Sequence, residues 1–202
     1  MTNTLDILFI GGGGHSLACA DILLQNKSFN LAGFIDPNKN APLATNGYKW
    51  IGSDEQLIQA TAKYKNIFIS IGYVRDPSKR IYLFNECKKL GCNFPILKSN
   101  FCYVSPTASI EEGTLIMNGT IVNAKSHIKK NCIINNNVVI EHGVSIGNNV
   151  HLAPSSTILG DVSIGDQCFI GAGAIIREGV SIQKGTFIKA GEIITSSNDK
   201  II

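Results

Sequence analysis

Residues 140–154, IEHGVSIGNNVHLAP, carry aliphatic side chains at Ile140, Ile146 and Leu152, six residues apart. A helix returns to one face every 3.6 residues and a strand every second residue, so neither produces a strict six. The same step extended in both directions meets Val104, Ile110, Ile116, Val122, Ile128, Ile134, Ile140, Ile146, Leu152, Ile158, Ile164, Ile170, Ile176, Ile182, Ile188 and Ile194, sixteen positions without a break. Four places after these stand mostly small or β-branched residues, such as Ala108, Thr114, Thr120, Ser126, Cys132, Ser156 and Ala174. A unit of six residues that makes one short flat strand and one turn accounts for both columns. The spacing predicts a β-solenoid whose aliphatic residue and small partner point inward while the other four positions face out.

Upstream of Val104 the pattern differs. The apolar run LDILFI (5–10) ends in GGGGH, a helical pattern through SLACADILLQN follows, and LAGFID (31–36) reads as a second strand. DEQLIQATAKY and PSKRIYLFNECKKLG read as helices, NIFISIG (66–72) as a buried strand and NFPIL (93–97) as a short one. Alternating strands and helices with glycine-rich turns predict a small parallel sheet of Rossmann-like type, with ligands at the strand carboxyl ends. The expected organisation is therefore an α/β domain over 1–98 followed by a β-solenoid over 99–202.

Bulk composition narrows the function classes. The chain has 202 residues, 44% of them hydrophobic, which suffices for a substantial core without covalent staples. Its formal charge is +3, from 18 Lys and Arg against 15 Asp and Glu, and no dense basic run appears, which argues against nucleic acid as a partner. No apolar stretch approaches the ~20 residues that span a bilayer, and MTNTLDILFIGGGGH lacks the features of a signal peptide, so no membrane insertion and a cytoplasmic location are expected. Six cysteines without metal spacing predict free, mostly buried thiols and no metal site.

The six-residue register resembles that of the hexapeptide-repeat acyltransferases. That resemblance implies a left-handed parallel β-helix with eighteen residues per coil, about five coils, and a homotrimer. His142 is the third residue of its hexad, while His151 and His127 are each the sixth of theirs, so all three are expected to point outward. Transfer of an acyl group from a thioester to an amine or hydroxyl needs a base with pKa near neutrality and a fixed N–H donor for the oxyanion. One coil of eighteen after His142 stands Gly160, whose backbone can approach a ligand closely. A second outward column, Pro154, Ala172 and Ala190, is small enough for an extended pantetheine arm.

LIMNGTIVNAKSHI, NNNVVIEH and NNVHLAP, with the upstream GGGGH and GFID, are similar to the sugar acetyltransferases that couple a small nucleotide-binding domain to a β-helix. These comprise N-acetyltransferases of nucleotide-linked 4-amino-4,6-dideoxyhexoses and O-acetyltransferases of sialic acid. Carried over residue by residue, the resemblance implies acetyl-CoA as cosubstrate, a nucleotide sugar as acceptor and His142 as general base. It implies that His151 contacts the thioester region, that Gly160 supplies the oxyanion N–H, and that Ala172 and Ala190 line the cofactor arm. Asn135 and His15 are implied near the acceptor, with Gly11, Gly12, Gly13, Gly14 and Asp36 around its nucleotide.

Two departures from the family pattern stand out. Relatives commonly carry Asp or Glu directly after the catalytic histidine, where this chain has Gly143. Either His142 is a weaker base for that reason, or a backbone carbonyl holds its tautomer instead. The C-terminal ITSSNDKII also lacks the Gly-Val-Pro-Ala ending of many relatives. The glycine run is a poor dinucleotide fingerprint, because the G-x-G-x-x-G frame from Gly11 ends on Ser16. Arg75, Lys79 and Arg80 are expected to be solvated, with one of them available to a phosphate. Amine acetylation is the leading expectation, with O-acetylation of a sialic-acid-like sugar or a non-catalytic nucleotide-sugar-binding β-helix as alternatives.

Overall fold

A computed structural model describes residues 4–25 and 28–197. The chain divides into two compact units, residues 1–97 and 98–202.

The first unit holds strands β1 (Leu5–Ile10), β2 (Phe29–Ile35), β3 (Trp50–Gly52) and β4 (Asn66–Ile69). Its helices are α1 (Gly14–Leu24), α2 (Pro42–Thr45), α3 (Leu57–Lys63) and α4 (Ser78–Lys89). The sheet is parallel in the order β3-β2-β1-β4. Parallel strands joined through helices are covered on their faces, which is why Ile7–Ile10, Phe34–Ile35 and Ile67–Ile69 read as continuous apolar runs and are fully buried. All four strands point their carboxyl ends the same way, so the turns after Ile10, Ile35, Gly52 and Ile69 meet at one edge. The stretch 93–97 is not a strand of this sheet. Only Asn93 bridges to Asn66, and Pro95 has no N–H with which to continue a ladder.

The second unit is a parallel β-helix. Its two-residue strands stack into three sheets of six, six and five strands. The first sheet contains Leu115–Ile116, Ile133–Ile134, His151–Leu152, Phe169–Ile170 and Phe187–Ile188, and the second runs from Tyr103–Val104 to Ile193–Ile194. The third contains Ser109–Ile110, His127–Ile128, Ser145–Ile146, Ser163–Ile164 and Ser181–Ile182. Each strand pairs with the one eighteen residues on, as in His127 with Ser145 and Val139 with Thr157. Every residue of the sixteen-member column is the second residue of its strand, and from Ile116 to Ile194 all are buried. Burial of each such side chain contributes roughly 1.5–3 kcal/mol.

The small column closes the corners. Its buried hydroxyls find backbone carbonyls: Thr114 Oγ1 donates to Lys129 (2.9 Å), Thr120 Oγ1 to Asn135 (2.8 Å) and Ser126 Oγ to Glu141 (2.6 Å). A polar atom inside an apolar prism is thereby satisfied. Among the described residues the corner is made by a left-handed residue in fourteen of the sixteen hexads, from Gly113 (φ 71°) and Lys125 (φ 61°) to Asp161 (φ 59°) and Gly191 (φ 73°). Glycine and asparagine predominate in this column because they tolerate positive φ best.

Candidate active site

At the carboxyl edge of the first unit's sheet, Gly11 takes φ 112°, a conformation closed to most side chains. A Cβ on Gly12 would stand 2.5 Å from the Phe34 ring, so the loop can pass there only as glycine. A Cβ on Gly13 or Gly14 would meet nothing within 4 Å, which leaves that side of the loop open. Gly13 is the N-cap of α1 and offers no side-chain cap, so the first turn of the helix presents its N–H groups to whatever occupies the open side. His15 packs its ring against Gly72, where a Cβ would stand 3.1 Å from Cγ.

Ser16 occupies the place of the third fingerprint glycine and is completely buried. Its hydroxyl donates to the Ser70 carbonyl (3.0 Å), while Ser70 Oγ donates to Gly11 O (2.8 Å). Helix and strand are thus tied by hydrogen bonds where a dinucleotide fold uses close glycine packing. Asp36 is half-buried and committed to the same edge. Its Oδ2 accepts the Gly12 N–H (2.8 Å), its Oδ1 accepts the Asn38 N–H (2.8 Å), and its carbonyl accepts the Trp50 indole N–H (2.9 Å). Arg75 and Lys79 are exposed as expected, but Arg80 is not solvated. Only 1% of it is accessible, and its guanidinium donates to the carbonyls of Ile69 and Ile71 (2.9 Å to the latter). It braces the strand end that carries Ser70 and Gly72. The thiol of Cys19, on α1, is pushed up to about 12 by burial, which outweighs the lowering influence of Arg80. It is an inert packing group rather than a nucleophile.

On the β-helix, His142 lies at the corner after Val139–Ile140 and is exposed. Its imidazole lies directly against Gly160 of the next coil: a Cβ there would stand 2.7 Å from Cε1 and 2.9 Å from Nε2. The absent side chain of Gly160 is what gives the ring its place. The Asp161 N–H donates to the His142 carbonyl (3.0 Å) and the Gly160 carbonyl accepts from Gly179 (2.9 Å), whereas the Gly160 N–H takes no part in these inter-coil bonds. Gly143 has φ 70°, and the Asp161 carboxylate occupies the space where its Cβ would be. Pro154, Ala172 and Ala190 form an exposed column at another corner.

His151 departs from expectation. It starts its strand, as an outward residue does, yet is only 8% accessible. Phe169 meets it edge-on at 5.1 Å (87°), Phe187 stacks on Phe169 at 5.1 Å (9°), and the neighbouring Ile133 and Leu115 are themselves fully buried. An aromatic and aliphatic column covers the ring. Its Nε2 stands 3.4 Å from Asn135 Nδ2, so the structure brings together those two predicted residues. His142 is half a coil away at a different corner. His127 has a carboxylate partner, standing between Glu111 Oε1 (3.0 Å from Nε2) and Ser109 Oγ (2.5 Å from Nδ1). The serine column of its face, Ser109, Ser145, Ser163 and Ser181, carried the only sequence signal of this cluster. All six cysteines are free, and all but Cys102 are buried. No helix among the described residues is long and apolar enough to cross a membrane. The tail residues 198–202, part of the ending that departs from relatives, lie outside the described residues.

Two family models match the chain: the PglD N-terminal domain over residues 6–86 and the GMPPB C-terminal domain over residues 116–199. No curated protein sequence matches it. Among solved structures it is similar to PerB from Caulobacter crescentus, in complex with CoA and GDP-perosamine, at 28% identity. That match covers 95% of this chain and 89% of the other, with a TM-score of 0.87. The acetyltransferase domain of PglB from Neisseria gonorrhoeae, in complex with acetyl coenzyme A, matches at 25% identity over 96% and 92% of the two chains, with a TM-score of 0.87. A histidine-to-asparagine mutant of perosamine N-acetyltransferase from Caulobacter crescentus matches at 27%, over 95% and 89%, with a TM-score of 0.85. A first unit that matches the PglD N-terminal domain, an unbroken hexapeptide register and likeness to these enzymes over nearly the whole length make the chain similar to the hexapeptide-repeat sugar acetyltransferases built on a left-handed β-helix.

Proposed function

We propose that the protein transfers acetyl from acetyl-CoA to the amino group of a nucleotide-linked 4-amino-4,6-dideoxyhexose, with His142 as general base. The observation that carries this reading is the seating of an exposed imidazole against Gly160, beside a backbone N–H left out of the inter-coil ladder. Likeness to an enzyme solved with CoA and GDP-perosamine supports the substrate classes. In the reaction the sugar amine attacks the thioester carbonyl, the C–N bond forms and the C–S bond breaks. His142 accepts the proton lost by the nitrogen, and coenzyme A leaves with the sulfur. The Gly160 N–H is assigned to the oxyanion of the tetrahedral intermediate, where one such donor contributes about 2.7–4 kcal/mol.

The acceptor's nucleotide is assigned to the open side of Gly11, Gly12, Gly13 and Gly14, with the diphosphate at the start of α1 and His15 and Asp36 flanking it. His151 and Asn135 are assigned to the acetyl and acceptor region, and Ala172 and Ala190 to the pantetheine arm. A homotrimer supplies the second wall of the groove that the arm needs. Six free thiols fit a reducing, cytoplasmic compartment. The test is thiol release from acetyl-CoA with a panel of UDP-, GDP-, dTDP- and CMP-linked amino and neutral sugars. One amino sugar should be turned over, and His142→Ala should lower its kcat by ~10²–10⁴-fold. Full kcat in that variant, with thiol release still dependent on the sugar, would overturn the assignment of the base.

A further inference from the structure

Among the described residues, seven glycines and seven others make the left-handed corners of the β-helix, and of these Asp161 is the single carboxylate. It follows Gly160, the residue against which the His142 ring rests, and its N–H holds the His142 carbonyl. Its Oδ1 folds back onto the previous coil and fills the Cβ position of Gly143, the residue immediately after His142. We infer that Asp161 is the acid partner of the His142 site, delivered from the coil above instead of from the next residue in sequence. This inference rests on the assignment of His142 as base. Asp161 is a positioning residue: its negative charge stabilises the imidazolium that forms as His142 takes the proton.

The same geometry explains Gly143. With φ 70° and the carboxylate in its Cβ space, position 143 has no room for a side chain of its own while Asp161 keeps this rotamer. An acid at 143 and an acid at 161 are therefore alternatives, and this chain uses the second. The other charged groups near the corner do not supply the same field. Lys125 occupies the equivalent position one coil before Gly143 and has the opposite sign. Glu178, one coil after Gly160, is engaged by Arg177 (3.0 Å). Glu141 precedes His142, in the strand-end position whose carbonyl accepts the Ser126 hydroxyl, and is the nearest competitor.

The structure also supplies a benign replacement. Asn137 lies over Gly119 with its Oδ1 in the same relation that Asp161 has to Gly143, so an asparagine fits this corner without its charge. Ser155 holds a corner of the same column at φ 60°, which makes Asp161→Ser a second tolerated variant. The experiment is a double-mutant cycle of Asp161→Asn with His142→Ala, read as kcat and both KM values, with thermal melting as a control. Asp161→Asn and Asp161→Ser should each lower kcat about three- to tenfold with both KM values and the melting temperature nearly unchanged. In the His142→Ala background the same change should cost nothing further. A loss of equal size in both backgrounds, or a loss confined to KM or melting temperature, would show a merely structural aspartate. If Glu141→Gln, and not Asp161→Asn, is the change that loses its effect in that background, the acid partner is Glu141. Unchanged kcat in Asp161→Asn beside a collapsed His142→Ala overturns the inference alone, whereas an active His142→Ala overturns the base.

Discussion

The two units hold polar site residues on an apolar scaffold in opposite ways. In the α/β unit the side chains that shape the site also hold the fold: Asp36 anchors the glycine loop, Ser16 and Ser70 tie helix to strand, and Arg80 braces the end of β4. In the β-helix two inward residues per hexad make the core, and the remaining four are released from that duty. The first kind of site cannot be altered without strain on the scaffold. In the second, exposed outward positions away from the left-handed corners can be rewritten one at a time, because such a substitution leaves the stacked core and its inter-coil backbone hydrogen bonds intact.

The contrast has measurable consequences. Its largest effect should come from the β-helix core, where Ile158→Asp places an unpaired carboxylate inside the prism. That change should cost about 4 kcal/mol or more and prevent cooperative folding of the second unit, as followed by circular dichroism and limited proteolysis. A folded, protease-resistant variant would mean that coils can open to water locally. An intermediate effect is expected for Arg80→Ala, which removes the donors from the Ile69 and Ile71 carbonyls. The loss should be roughly 1–3 kcal/mol in denaturant unfolding, together with a higher KM for the sugar acceptor and little change in KM for acetyl-CoA. A change in stability without any change in acceptor KM would separate fold from site in the α/β unit and erase the contrast. The smallest effect is expected for Ser163→Ala on the outer face of the third sheet, within about 0.5 kcal/mol of wild type and with unaltered kinetics. A larger destabilisation would show that this face is covered in the assembled protein.

The same contrast governs how far each unit could be read from its residues. All sixteen hexads were legible because a solenoid repeats one environment, so that each unit confirms the register of the next. Strands β1, β2 and β4 and helices α1, α3 and α4 showed themselves through apolar runs, periodicity and breakers. The short elements did not: Trp50–Gly52 and Pro42–Thr45 are too brief to display a period, and both owe their conformation to packing at the sheet edge. Arg80 was expected in solvent because a lone arginine usually is. Its burial follows from two strand-end carbonyls left over where β4 stops, which nothing local announces.

The cover over His151 did carry a signal. Steps of eighteen along the first position of its strand pass Leu115, Ile133, His151, Phe169 and Phe187, an outward column too apolar to remain in water. The pairing of Asp161 with Gly143 obeys the same step. Both relations lie one coil apart, so they emerge when the outward positions are stacked and stay hidden when the hexads are read one after another.

What this sequence determines by itself is periodic: the six-residue step, the inward aliphatic column, the left-handed corner residues and the switch from an α/β alternation to a solenoid near residue 98. These follow from local chemistry, because each position needs only its own side chain and backbone preference to declare its role. The tertiary structure decided which outward groups meet. Gly160 yields its side-chain space to the imidazole, the Asp161 carboxylate takes that of Gly143, and a phenylalanine column shields His151. Such contacts depend on side chains eighteen residues apart being brought to the ~4.8 Å spacing of adjacent strands, a proximity that arises only when the coil closes.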